Sequence, residues 1–531
     1  MWRMGPVLPL LALLGACQTE DDRALDVAVI GSPAGLLDQG GRLGAAGQLV
    51  QAATAQGLVA LDAQGQVVPA LADRWIVTDD GDSYIFRLRD GTWPGGAPLN
   101  GQNAARALRQ ALAQLQGTTL GLDLADIAEV RVMTDRVLEL RLARPVPELL
   151  QLLAQPELAL RLRQQGSGPF EIVRGRKGQG VAGQDGAGRS GAGTENGGAG
   201  STAMTGIVRL AEIPPRRLGL PPISDEDAPS RAVRLHALSA RAATEAFTRG
   251  EVAVVLGGRF ADLPLGQAAA GLSRRALQID PAVGLFGLAV VSDAGPLATA
   301  EFREALNMAL DREALAGAVG LTGWASAVRI VPAPGGTLAG SAGPPSGGPA
   351  VPPVAAPPAW SSWSIEARRA EATARVARAR VRNGGPLSPL RLAWPEGPAA
   401  DAVFARLAAD FAAIGVTVTR VPDGAPAELR LLDLVARYPG ALWYLNQLSC
   451  AARRTICSAA LDARLAQARA ERDPDRRAAL LAAVEAQASG AALFLPLGAP
   501  IRWSLARPGQ TGFAANAAAF HPLPPLVQPV N

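Results

Sequence analysis

The sequence predicts an α/β fold shared among several domains, and three observations lead there. The chain has 531 residues, 48% of them apolar, which at roughly 150 residues per domain is about three domains. Through its second half, short β-branched runs alternate with amphipathic helical patterns, the mark of layered α/β packing. Near its start, two strand-like runs flank a turn cluster. Aromatics are only 4%, so Ala, Leu and Val must fill the core.

The first residues set the compartment. Arg3 supplies a positive start, and Val7 to Leu14 form a short apolar stretch interrupted by Pro9. This is well short of the roughly 20 residues that span a bilayer, and it reads as a signal peptide over 1–16. It ends in Leu14-Gly15-Ala16-Cys17, which resembles a lipobox, so Cys17 is the expected lipid attachment site and 17–25 a tether. An ordinary leader with a chance Cys is the alternative. No later stretch is long and apolar enough to span, so the protein is expected to be periplasmic and lipid-anchored to the cell envelope. In an oxidising compartment the remaining Cys450 and Cys457 are expected to pair, stapling a short loop by about 2–3 kcal/mol.

The elements follow in order. Trp75 to Thr78 is strand-like, Asp79 to Asp82 is a turn, and Ser83 to Leu88 alternates, putting Tyr84, Phe86 and Leu88 on one face. The turn lacks the twelve-residue loop and closing Glu of a calcium site. A helix runs from about Gln102 to Leu115. Residues 175–206 are Gly-rich and 334–358 are rich in Pro, Gly and Ala; both are expected to be surface insertions. Ala232 to Leu238 reads as a strand, and Ala240 to Arg249 as a helix ended by Gly250. Val252 to Leu256 and Phe286 to Val291 read as buried strands. Phe302, Ala305, Leu306, Ala309 and Leu310 line one helix face, and Asp311 caps the next helix, which carries Leu315. Leu390 to Ala393 is a strand. Ala402 to Ala413 is a helix with Phe404, Leu407 and Phe411 inward, stopped at Ile414-Gly415. Val416 to Val421 is a strand and Asp462 to Arg472 a helix. Asp473-Pro474 opens another helix through about Ala488, and Leu493 to Leu497 is a last buried strand.

Composition and motifs exclude several functions. Lys and Arg total 51 against 47 Asp and Glu, a formal charge of +4. Over so long a chain this is no nucleic-acid footprint. Lys177 is the single lysine, and His236 and His521 are the only histidines. His236 falls in an expected strand and His521 in a Pro-rich tail; both read as structural. GxGxxG matches at 178–183 and 186–191 lie in the Gly-rich stretch and open no helix, as dinucleotide binding requires. No phosphate loop and no GxSxG nucleophile elbow occurs. Asp225 and Asp227 read as solvated. The Arg-rich helix from Ala367 to Arg382 reads as a solvated face, with contact to anionic lipid as the alternative. No catalytic residue, metal ligand or cofactor is expected.

Four blocks then point to a family. Gln56 to Asp62 leads into Val68-Pro69-Ala70-Leu71-Ala72-Asp73-Arg74-Trp75, then Asp79 to Gly91. Gly166-Ser167-Gly168-Pro169-Phe170 follows, then Phe302-Arg303-Glu304-Ala305-Leu306-Asn307-Met308-Ala309-Leu310-Asp311-Arg312-Glu313. Last comes Asp473-Pro474 with Arg476-Arg477. Together these resemble the peptide/nickel class of solute-binding proteins of ABC transporters. The resemblance implies a two-lobed clamshell of type II with an extra domain in the first lobe. Residues 26–45, 166–270 and 485–531 would form the first lobe, 46–165 the extra domain and 271–484 the second lobe. A peptide or peptide-like solute would be buried between the lobes by hinge closure. The partners would be a membrane permease and the anchoring membrane, with the protein a monomer. A non-transporting envelope lipoprotein, acting as sensor or scaffold on the same fold, is the alternative.

Departures from the family shape the expected site. Many relatives carry an acid before a Tyr-Pro in the second lobe, where it can hold a peptide's amino group; here Arg437 precedes Tyr438-Pro439. A guanidinium fork suits carboxylate or phosphate and repels ammonium. The loop Trp93 to Pro98 has also lost an acid. Arg437, Tyr438, Trp443, Tyr444 and Asn446 are the candidate ligand residues, in a segment unusually aromatic for this chain. Arg437 facing solvent and the aromatics being core are the alternatives.

Overall fold

A computed structural model describes residues 24–173, 206–221, 231–271, 275–332 and 355–527. The leader, Cys17, Asp225, Asp227, nearly all of the Gly-rich stretch and most of 334–358 lie outside them. No helix of the described residues is long and apolar enough to cross a membrane.

Three sheets organise the chain. The first-lobe sheet has seven strands in the order Phe170–Ile172, Ile207–Glu212, Ala232–Leu238, Leu25–Ile30, Val254–Arg259, Arg502–Ala506 and Leu277–Ile279. Leu25–Ile30 sits inside it, parallel to both neighbours. Val27, Ala28 and Val29 are fully buried, as a strand covered on both faces requires. The second-lobe sheet runs Val418–Val421, Leu390–Ala393, Leu429–Val435, Gly284–Val290 and Phe494–Gly498. The extra domain carries an antiparallel sheet, Ala72–Val77, Ser83–Leu88, Val137–Leu142 and Ile127–Thr134. It turns Tyr84, Phe86 and Leu88 inward, against the helix Gly101–Gln114 among others.

Sheet membership places the lobe boundaries. Leu277–Ile279 pairs in the first sheet and Gly284–Val290 in the second, so the chain crosses at 280–283 rather than at 271. Phe494–Gly498 pairs in the second sheet and Arg502–Ala506 in the first, so it returns at 499–501 rather than at 485. The two crossings run side by side, tied by Asp280 N–H donating to the Arg502 carbonyl at 3.0 Å. At the first crossing Gly284 has φ 156°, and a Cβ there would lie 2.0 Å from the Leu434 oxygen. The helix Ala45–Thr54 also changes side, since Ala46, Leu49, Val50 and Ala53 pack in the first-lobe core.

Local signals fix several helix ends. Gly250 ends Ala240–Arg249 with φ 86°. Asp311 caps Arg312–Val319 and Asp473 caps Pro474–Gly490, each accepting a backbone N–H. In the helix Pro398–Ala412, Leu407 and Phe411 are buried but Phe404 is only partly so, and Val403 takes its place in the core.

The helix Ile365–Arg382 is not a free arginine face. It lies on Ala300–Ala309 with Ala372, Val376 and Ala379 buried. Arg378 and Arg382 pair with Glu301, Arg375 with Glu304, and Arg369 with the fully buried Asp410. The far end of the second insertion is likewise tied down. Ala355 is buried, and Glu485 accepts the N–H groups of Val331 and Ala355, one from each flank. Cys450 and Cys457 are bonded, with Cα atoms 4.6 Å apart.

Candidate functional site

The segment after Leu429–Val435 leaves the second-lobe sheet beside the hinge, where Ala436 N–H donates to the Val283 carbonyl at 2.8 Å. Gly440, at φ 143°, then starts the short helix Ala441–Gln447. This turn brings Arg437, Tyr438, Trp443, Tyr444 and Asn446 together against the extra domain.

Arg437 does not hold its fork open to a solute, as the sequence led us to expect. Its Nη2 donates to Glu157 Oε1 at 2.8 Å and its Nη1 to Glu157 Oε2 at 3.0 Å and Gln155 Oε1 at 2.8 Å. Glu157 stands on the extra domain's 3-10 turn Pro156–Leu158 and is buried. It also accepts from Gln48 Nε2 at 3.1 Å, on the helix Ala45–Thr54 of the first-lobe core. This carboxylate of the extra domain thus gathers donors from both lobes. Burial alone would raise Glu157, but the Arg437 charge and its paired hydrogen bonds outweigh this and hold the carboxyl below its usual range.

The other four residues are core. Tyr438, Trp443, Tyr444 and Asn446 are all buried, in an apolar cluster that runs on into Phe86, Trp93 and Leu140 of the extra domain. Trp443 meets Tyr444 edge-on at 5.0 Å. Tyr438 Oη donates to Asp123 Oδ1 at 3.1 Å, and Asn446 Nδ2 donates to the same oxygen. Asp123 Oδ2 is buried without a hydrogen-bond partner. Burial pushes the Asp123 carboxyl up to about 6, against the pull of those two hydrogen bonds. The same burial, with Asp123 beside it, raises the Tyr438 phenol well above its usual value.

A second polar seam lies at the hinge and was not read from the sequence. Asp433, on the second-lobe strand, accepts Arg502 Nη1 at 2.7 Å and Arg259 Nε at 3.1 Å. Both arginines stand on first-lobe strands. Beside this seam Phe260 of the first lobe packs on Phe286 and Trp394 of the second, with centroids 4.8 and 5.8 Å away.

Two cavities bear on the site. One of about 310 Å³ sits between the first lobe and the extra domain, walled by Gln56, Asp62, Gln155, Phe170, Arg231 and Phe520. Another of about 270 Å³ abuts the hinge at Val283 and Ala499, with Phe286, Phe494 and Arg329 in its wall. Both histidines have structural partners: His236 meets Asp26 at 2.8 Å, and the buried His521 meets Asp280 at 3.2 Å. Among the described residues no group of three or more His, Cys, Asp or Glu could hold a metal ion.

The chain as a whole resembles known proteins. Residues 66–184 and 225–425, well over half of the chain, match the family of bacterial extracellular solute-binding proteins, family 5 Middle. A probable deoxycholate-binding periplasmic protein of Escherichia coli is 36% identical over 121 residues, which cover 19% of this chain and 23% of that protein. The murein tripeptide binding protein of Escherichia coli superimposes with a TM-score of 0.72 at 17% identity, covering 94% of this chain and 97% of that one. The Haemophilus influenzae oligopeptide-binding protein OppA, solved with a nonapeptide, gives 0.70 at 15% identity, covering 94% and 98%. The match to the curated relative spans only 23% of its length, and the likeness to the solved structures establishes the fold alone: a two-lobed, type II clamshell.

Proposed function

The chain belongs to the bacterial extracellular solute-binding proteins of family 5, and from that premise we propose that it delivers a peptide or peptide-like solute to an ABC importer. The solute is held where the second lobe meets the first lobe and its extra domain, and the permease reads the closed form. Cys17 anchors the protein, as a monomer, to the envelope membrane. The protein does no chemistry on its cargo.

The observation that carries this reading is the paired crossing at 280–283 and 499–501, joined by a backbone hydrogen bond. Two adjacent connectors let two sheets swing about one axis while each keeps its core, which is the geometry of hinge closure. Gly284 allows the first connector to pass close under Leu434. Two of the relatives named above, described as binding murein tripeptide and solved with a nonapeptide, support a peptide or peptide-like solute.

The test is a thermal-shift screen of the purified chain against peptides, bile acids, opines, sugars, organic acids and nickel. A solute at a hundredfold excess over its Kd adds about 2.7 kcal/mol to stability and raises the unfolding midpoint. A library without a hit would contradict the transport reading and favour the sensor or scaffold.

A further inference from the structure

The region around Arg437 carries two further arginines, Arg469 and Arg454. Glu157 answers Arg437. Asp123 feels the charges of Arg469 and Arg437, and Arg469 also donates to Asn446 Oδ1. A third arginine in this region, Arg454, has no answering acid. Its Nε is shut off from solvent without a hydrogen-bond partner, and no acidic side chain among the described residues pairs with it. Burial weakens its hold on its proton, and the positive charge of Arg437 adds to this. A part-buried cation near a second cation is costly unless an anion joins them.

The loop that carries Arg454 is built to hold it still. The Cys450–Cys457 bond closes the loop. Arg453 turns the chain at φ 55°. Cys450 N–H reaches Asp462 Oδ1 at 3.2 Å, Thr455 Oγ1 reaches the Leu448 carbonyl at 3.3 Å, and Ile456 N–H reaches the Val290 carbonyl at 2.8 Å. On the other side, Glu157 keeps the Gln48 amide as a donor when Arg437 leaves.

We propose that Arg437 and Arg454 together receive an anionic group of the solute, a carboxylate or a phosphate, and that Glu157 holds Arg437 in place until that group arrives. This rests on the solute-binding reading and narrows it: a solute presenting a free ammonium at this end is rejected. Arg454 is the specificity-determining residue, because it has no partner to give up. Glu157 is the internal anion that the solute displaces.

The test is calorimetric titration of the full purified chain with four probes: N-acetyl-dileucine, glycerol 3-phosphate, dileucine and dileucine amide. At least one of the two anions should bind, and which one decides between carboxylate and phosphate. The amide should bind at least roughly tenfold more weakly, the scale of a charge-assisted hydrogen bond. Arg454→Gln should lower affinity for the anion by roughly tenfold, with Arg454→Lys retaining part of it. Glu157→Gln, which removes the competitor, should raise that affinity. Equal binding of the amide, anion affinity unchanged by Arg454→Gln, or no binding of either anion would overturn the proposal. In that last case, binding of free dileucine would leave the solute-binding reading standing without this inference. Silence for all four probes and for the wider screen would remove both.

Discussion

The two seams of the second lobe are built from the same chemistry and do opposite work. At the hinge, Asp433 is held by Arg259 and Arg502 from the first lobe, next to the Phe260 cluster. Farther along the same segment, Glu157 of the extra domain is held by Arg437 of the second lobe, next to the Asp123 cluster. The Asp433 contacts join strands that meet at the crossings and can persist through opening, whereas the Arg437 fork reaches across to the extra domain and is released when the two part. A carboxylate with two cations from one side acts as a pivot; a carboxylate gripped by one cation from the far side acts as a catch.

The largest expected effect comes from breaking the pivot. Asp433→Ala leaves two arginines without their shared acid, one of them largely buried, and should cost about 3 kcal/mol in urea unfolding. Gly284→Ala strains the same place by closing on the Leu434 oxygen, and overpacking of this kind costs about 1–3 kcal/mol. A loss below half a kcal/mol for both would mean that the hinge seam is slack.

The Asp123 cluster sharpens the comparison through pH. Burial raises its carboxyl in the folded protein to about 6, well above the usual carboxylate range. A raised acid favours the folded state while protonated, so its contribution is present at pH 3 to 4 and is lost as pH rises through about 6. Asp123→Asn should stabilise the protein at pH 7 by up to about 3 kcal/mol, from roughly two pKa units, and change little at pH 4. Glu157 is lowered, so its contribution has the opposite sign and fades as the solution turns acidic. Parallel stability curves for wild type and Asp123→Asn between pH 4 and 7 would contradict the assignment.

Smaller effects bound the rest. Replacing both Cys450 and Cys457 by Ser should cost about 2 kcal/mol and also weaken anion binding, because the loop no longer fixes Arg454. The exposed ion pairs of the helix Ile365–Arg382 mark the lower limit. Arg378→Ala should leave the thermal unfolding midpoint essentially unchanged, because solvent screens so exposed a pair, despite its 2.7 Å contact with Glu301.

What could be read from residues alone follows the range of the interactions. Helix caps at Asp311 and Asp473, the stop at Gly250, and the inward face of Ser83–Leu88 are encoded within a few positions, and all lie where the pattern put them. The central strand Leu25–Ile30 has no clear mark in the sequence because its short apolar run, broken by Asp26, emerges straight from the expected tether. Leu429–Val435 was passed over because Arg430 and Asp433 break its apolar run. Phe494–Gly498 was expected as a strand but assigned to the other lobe, because which sheet a strand joins is a topological fact with no local mark. The site was the least legible part. Arg437 and Glu157 are 280 positions apart and Asp433 and Arg259 are 174 apart, so nothing in the spacing announces either pair. The aromatic run Trp443-Tyr444 suggested a cleft wall and is core, because the extra domain covers it.

The most direct test is a pulsed electron-spin distance across the catch, with labels at the exposed positions Arg131 of the extra domain and Arg464 of the second lobe. Without solute, the wild type should show one short distance population. Glu157→Gln should add a longer one, and an anionic solute should restore the short one. An unchanged distribution in Glu157→Gln would mean that the Arg437–Glu157 pair is a fixed part of the fold and not the catch that a solute releases.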